Sequence, residues 1–100
     1  MNNNSYENEE IKALELADLF KVFSDSTRIK ILYSLFQKPR MVNDIAAVVG
    51  MSQSAVSHQL KYLKSANLVK SNVVGKARYY ELADDHVKTI ISMGKEHIEE

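Results

Sequence analysis

Two histidines near the end of the chain, His86 and His97, are the residues whose type and spacing best suit chemistry. The chain has no cysteine. Disulfides, thiolate metal ligands, cysteine nucleophiles and thiol redox sensing are therefore excluded together, and any metal site is built from His, Asp and Glu. The histidines stand eleven residues apart, about three turns at ~3.6 residues per turn, so both point the same way from a helix. Val87, Ile90, Ile91, Gly94 and Ile98 form an apolar arc on that helix. The histidine direction falls inside the arc, between Ile90 and Met93. Histidines buried on such a face need polar partners.

At ~1.5 Å rise per residue the two side chains are separated by ~16 Å, whereas zinc ligands lie ~2 Å from the metal. One helix cannot bring both to one ion, but two antiparallel copies can. Asp84 sits just before the helix, near His86, and Glu100 lies one turn beyond His97. Two symmetric sites result, two ions per dimer, each with Asp84 and His86 from one chain and His97 and Glu100 from the other. Four nitrogen and oxygen ligands suit zinc or cobalt. Gly94, near the middle of the arc, lets the helices approach closely. The alternative leaves Asp84 as a helix cap and each histidine as a hydrogen-bonding residue of a dimer interface.

The elements that must position these residues are legible in the hydrophobic pattern. Residues 1–8 are polar and lack an apolar run, which predicts a disordered tail with no signal peptide. The domain then covers residues 9–100. Ile11, Leu14, Ala17, Phe20 and Phe23 predict a first helix over about 9–23. Ser24-Asp25-Ser26 offers caps for a second, which carries Ile29, Leu32, Leu35 and Phe36 and is ended by Pro39. A short helix over about 42–49 stops at Gly50, and Ser52 caps a fourth over about 53–66. Leu68-Val69-Lys70 and Arg78-Tyr79-Tyr80-Glu81-Leu82 flank a turn at Val74-Gly75-Lys76 and read as a hairpin. The last helix follows Asp84 or Asp85. The fold class is mainly α with a small β-hairpin, in the order α-α-α-α-β-β-α. No apolar run approaches the ~18–20 residues that cross a bilayer, which makes the cytoplasm the default location.

Charge is zero overall and unevenly placed. Residues 26–80 hold nine cations against Asp44 alone, while both ends are acidic. A basic middle on an acidic scaffold fits a polyanion-binding face. Within it, the third and fourth helices are joined by the short turn Gly50-Met51-Ser52. Ala46, Gly50 and Val56 supply the small contact, the turn glycine and the apolar lock that a helix-turn-helix needs. On the fourth helix Val56, Leu60 and Leu63 point one way, and Ser54, His58, Lys61 and Ser65 the other. That outer face has no carboxylate, as befits a face meeting phosphates. Gln53, Ser54, Ser57 and His58 lie in its first turns, where recognition helices meet base edges, and glutamine can pair bidentately with adenine. Lys76 and Arg78, with Lys70, make the hairpin a basic wing.

Together these segments resemble the ArsR/SmtB family of metal-sensing repressors. The likeness runs from Leu19 to Glu100. It rests on Phe23 to Leu32 (FSDSTRIKIL), on Met51 to Leu63 (MSQSAVSHQLKYL), and on Gly75, Arg78, Tyr80 and Leu82 of the wing. The last segment is similar to the family's zinc/cobalt motif, here Asp84-x-His86-x10-His97-x2-Glu100. The family's cysteine motif is missing, with Arg-Met-Val-Asn-Asp-Ile over 40–45 in its place, which argues against thiolate sensing of arsenic, cadmium or lead. Glu99 and the terminal carboxylate are the substitutes for Glu100. The resemblance implies a homodimeric winged helix-turn-helix repressor that binds double-stranded operator DNA when metal-free and is released by zinc, with cobalt or nickel as alternatives. A relay is expected in which the second ring nitrogen of His97 donates to a backbone carbonyl near Asn67. The competing readings are a DNA-binding dimer without a metal function and a zinc hydrolase. The hydrolase fits poorly, because catalytic zinc keeps an open position and no nucleophile or general-base arrangement appears elsewhere; no enzyme is expected.

Overall fold

A computed structural model describes residues 2–100, with side chains described from Glu7 onward. The elements follow the expected order: α1 (Asn2–Val22), α2 (Ser26–Ser34), α3 (Val42–Val49), α4 (Gln53–Ser65), β1 (Val69–Val74), β2 (Ala77–Leu82) and α5 (Asp85–Glu99). The first helix differs at its start. It runs back to Asn2, through the segment read as a tail, and nothing in positions 2–8 interrupts it, since that stretch holds neither glycine nor proline. No helix among the described residues is long and apolar enough to cross a membrane.

The helix ends are set by side-chain and left-handed caps. The Asp25 carboxylate accepts from the Arg28 backbone N–H at 3.1 Å and opens α2. That helix closes before Pro39 is reached, because Leu35 N–H and Phe36 N–H turn back to the Leu32 and Tyr33 carbonyls at 3.1 and 3.0 Å. Gly50 ends α3 at φ 72°, a left-handed conformation that an L side chain resists. Ser52 Oγ then accepts from Ala55 N–H at 3.1 Å and opens α4. Asn67, at φ 62°, ends α4 in a Schellman motif. Leu68 N–H bonds the Leu63 carbonyl, and Asn67 N–H the Lys64 carbonyl, both at 3.0 Å.

The hairpin is longer than its sequence pattern implied. The β-branched Val73 and Val74 extend β1, leaving Gly75-Lys76 as the turn, and the register pairs Val69 with Leu82 through Val74 with Ala77. Arg40 and Tyr80 exchange backbone hydrogen bonds of 2.9 and 2.8 Å, which ties the wing to the segment before α3.

The core lies between α2, α3, α4 and the base of the wing. Ile31, Leu32, Ile45, Val56, Leu60 and Leu63 are fully buried, joined by Val69 from β1 and by Val87 and Ile91 from α5. Only the last turn of α1 takes part, through Val22 with Leu19 and Phe23 at its edge. The apolar stripe of α1 is otherwise uncovered: Leu14 is 69 % exposed and Phe20 51 %. Ile98 of α5 is 81 % exposed. Phe20, Phe23, Tyr33, Ile90, Gly94 and Ile98 line an apolar groove of about 350 Å³ between α1, α2 and α5.

Arg28 joins these parts. Its Nε donates to the Val22 carbonyl at 2.7 Å and its Nη2 to the Lys21 carbonyl at 3.3 Å, so it closes the open C-terminal end of α1. It also stands 3.8 Å from the Asp25 carboxylate, and its guanidinium lies 4.9 Å from the centre of the Tyr62 ring on α4. Arg28→Met keeps the aliphatic stem and removes all four interactions. Its expected cost is about 2 kcal/mol of unfolding free energy, the size of a charge-assisted hydrogen-bond pair, read from chemical denaturation with an unchanged slope.

Candidate functional site

The helix-turn-helix is formed by α3 and α4, and the wing stands beside its second helix. Ala46 and Val56 are buried where the two helices meet, and Gly50 N–H bonds the Ala46 carbonyl at 2.9 Å. With Val56, Leu60 and Leu63 turned into the core, Gln53, Ser54, Ser57, His58 and Lys61 are all exposed on the opposite side of α4. Lys76 and Arg78 are exposed on the hairpin. Helix and wing thus present seven polar or basic side chains to solvent, with no carboxylate among them.

Lys70, read as part of the basic wing, is engaged elsewhere. Strand alternation puts it on the far face of the hairpin, 3.8 Å from Glu81, whose other oxygen accepts from Asn72 at 3.0 Å. On the near face is a grouping that the sequence reading missed. Lys64 Nζ and Arg78 Nη1 each donate to Ser71 Oγ at 3.0 Å. No local spacing signals this contact, because it depends on how β1 leaves α4.

The ligand-type residues occupy the two ends of α5. Asp84 caps the helix, its Oδ1 accepting from His86 N–H at 2.9 Å, and the same oxygen is 3.3 Å from His86 Nδ1. The His86 side chain is 90 % exposed, and Asp84 Oδ2 has no hydrogen-bond partner among the described residues. Val87 and Ile91 seat α5 on the core. Lys88 lies 5.5 Å from the Phe36 ring centre and Lys95 5.7 Å from that of Tyr33. These two rings, one from the last turn of α2 and one just beyond its end, are themselves 4.8 Å apart. His97 and Glu100 are exposed at the far end, and within one chain no group of three His, Cys, Asp or Glu among the described residues could hold an ion. Asp84 and His86 are brought together; His97 and Glu100 are not brought to them. Asn67 and His97, the members of the expected relay, share no hydrogen bond among the described residues. Asn67 has a structural task of its own as the left-handed terminator of α4.

A helix-turn-helix followed by a hairpin wing defines a winged helix-turn-helix protein. The solved homodimeric winged helix-turn-helix DNA-binding domain of a Mycobacterium bovis protein superposes with a TM-score of 0.83 at 27 % identity, over 91 % of this chain and 84 % of that one. The family model for bacterial regulatory proteins of the arsR family matches residues 25–71. Two curated relatives extend the match. One is a transcriptional repressor SmtB homolog of Synechocystis, 38 % identical over 89 % of this chain and 67 % of its own length. The other is the HTH-type transcriptional regulator NmtR of Mycobacterium tuberculosis, 36 % identical over 87 % of this chain and 72 % of its own. This chain belongs to the arsR family of bacterial regulatory proteins, which are DNA-binding transcription regulators and not enzymes. It spans about two thirds of the length of the first of these relatives.

The double duty of Asp84 can be separated by substitution. Asp84→Ala removes the cap and should cost about 1 kcal/mol of stability, whereas Asp84→Asn, an equally good N-cap, should stay within a few tenths of wild type. Thermal melts of the two metal-free variants check this.

Proposed function

We propose that the chain is a homodimeric metal-responsive repressor, cytoplasmic, which binds operator DNA when metal-free and releases it when zinc binds at the dimer interface. The observation that carries this reading is the arrangement of α5. Its ligand-type residues are split between its two ends, Asp84 with His86 at one and His97 with Glu100 at the other, and its exposed apolar side lies between them. The uncovered stripe of α1 and the groove it shares with α5 supply the surface for a second copy. A 100-residue chain gains most from such a partner, because small domains bury a low fraction of their surface. Gly94 supports the same pairing: a β-carbon there would meet nothing within 4 Å in the chain. A mid-helix glycine that costs about 1 kcal/mol relative to alanine therefore has its use between chains.

The donor set fits zinc or cobalt. His86 presents Nε2, Asp84 retains a free oxygen, and His97 and Glu100 are open to solvent for a partner's pair. A bound ion would supply positive charge that joins the Asp84–His86 pair of one protomer to the His97–Glu100 pair of the other. The chain's own residues do the rest. Gln53, Ser54, Ser57 and His58 read base edges from the start of α4, and Lys61, Lys76 and Arg78 hold the backbone. Repression is relieved when the metal-stabilised dimer no longer sets its two α4 helices in successive major grooves, ~34 Å apart. His97 takes a second role as relay, its other ring nitrogen turning toward the carbonyl near Asn67.

His97→Asn should preserve the dimer and its metal-free DNA affinity, yet lose the ~5–150-fold release by zinc that a typical coupling of ~1–3 kcal/mol produces. Operator-binding titrations with zinc, cobalt and nickel measure it. DNA affinity insensitive to all three metals in the wild type would favour the plain DNA-binding dimer. A mixed dimer tests the cross-chain geometry. Pairing a His86→Ala chain with a His97→Asn chain puts both defects in one site and leaves the other whole, so it should bind one strong zinc per dimer. Either homodimer should bind none. Gly94→Leu should give a monomer in sedimentation, because its side chain occupies the space proposed for the partner helix.

A further inference from the structure

We infer that Lys64, Ser71 and Arg78 form a clamp for one backbone phosphodiester of duplex DNA, seated in the angle between α4 and the wing. This rests on the DNA-binding reading and adds a site to it. Two cations stand 3.0 Å from one hydroxyl oxygen. Lys64 comes from the last turn of α4 and Arg78 from β2, so the pair is assembled by the fold. Neither makes an ion pair among the described residues. The hairpin's carboxylate, Glu81, lies on the opposite face and is already held by Lys70 and Asn72. Two unneutralised charges converging on one point repel each other, and an anion placed between them removes that cost.

The chemistry of the serine fixes what that anion must be able to do. A hydroxyl has two acceptor lone pairs and one donor. Ser71 Oγ spends both lone pairs on Lys64 and Arg78, so its proton is left to be donated outward. The clamp therefore offers an ammonium, a guanidinium and a neutral O–H donor to a single acceptor group. A phosphodiester, with two free oxygens and a single negative charge, accepts from all three. Alignment is aided by Lys61, exposed one turn earlier on the same helix. Ser71 acts as a positioning residue: it orders the two cations around the one phosphate that both reach and adds its own donor to it.

The number of phosphates engaged is measurable. Each neutralised phosphate contributes ~0.9 to the slope of log affinity against log salt. Binding of the full chain to a mixed-sequence duplex, followed by fluorescence anisotropy over a salt series, reads that slope. The double variant Lys64→Ala with Arg78→Ala should lower it by ~0.9 per protomer, whereas cations on separate phosphates would lower it by ~1.8. Ser71→Ala should leave the slope unchanged and weaken binding about 2- to 10-fold per clamp at every salt concentration, and Ser71→Thr, which restores the hydroxyl, should recover most of that loss. Unchanged melting temperatures show that the exposed-site variants remain folded. A slope change of ~1.8 per protomer, or a Ser71→Ala chain indistinguishable from wild type, overturns the clamp while leaving the DNA-binding reading intact. A wild-type chain without duplex affinity overturns both.

Discussion

The Arg28 side chain is the joint on which the rest of the molecule hangs. α1 emerges from the core with only its last turn packed, and its final carbonyls are satisfied from beyond the helix, that of Lys21 by Ser24 N–H and Oγ as well as by Arg28. Arg28 takes two of them, balances its charge on the Asp25 cap, and lays its guanidinium plane on Tyr62. Four elements are thereby related through one side chain: α1, the cap before α2, α2 itself and the recognition helix α4. A lysine could not do this, since it lacks the planar fork that serves two carbonyls while stacking on a ring. The consequence is mechanical. The direction in which α1 leaves the domain is linked to the orientation of α4 without passing through the hydrophobic core.

A second joint sits on the other side. Lys88 and Lys95 are seven residues apart, two turns of α5, and reach the ring of Phe36 just past the end of α2 and that of Tyr33 within it. With Val87 and Ile91 buried beneath them, they fasten α5 along α2. The residues that could bind metal are left at the ends of this fastened rod, and its apolar flank with Gly94 is left open. Asp84 is the one residue that belongs to both arrangements. As an N-cap it satisfies the first turn of α5, and as a neighbour of His86 it orients the ring. A carboxylate has enough acceptor positions for both tasks, so the cap does not have to be given up for the proposed ligand role.

Much of this could be read from residue types because it is locally determined. Gly50, Ser52, Asp25 and Asp84 act within four residues of themselves, and each does in the fold what its type predicts. The inward positions of α4 and the polar face opposite them followed from a period of about 3.6. The start of α1 was not legible, since a polar segment without glycine or proline carries no signal that distinguishes a free tail from an exposed helix. The extent of the hairpin was underestimated because the exposed Val73 and Val74 look like turn flanks until their cross-strand pairing is known. The engagement of Lys70 with Glu81 and of Lys64 with Ser71 was not legible for the same reason. Both are lysines near the wing, but strand parity turns one toward Glu81, and the exit angle after Asn67 carries Ser71 to the other. The proposed metal site stands apart from all of these. It is legible only as two half-sites, because the helix that bears its ligands is too long to fold back on itself.

The two joints together determine how an event at α5 could reach DNA. Within the chain, α5 rests on α2, and α2 is bound through Arg28 to α4. No loop or hinge intervenes between α2 and the helix-turn-helix other than the short segment that Arg40 and Tyr80 pin to the wing. The domain therefore responds as a block, and the proposed relay through His97 acts on the block as a whole. In the proposed dimer, an ion that fixes the angle between two α5 helices fixes the relative placement of two such blocks. A small rotation at the interface becomes a larger displacement at the recognition helices, which lie on the outside. DNA selects one placement of the blocks and metal another, so each ligand weakens the other by the same factor. That reciprocity follows from linkage alone; what the fold adds is the shared core, with Arg28, Lys88 and Lys95 tying α1, α4 and α5 to α2 and its end.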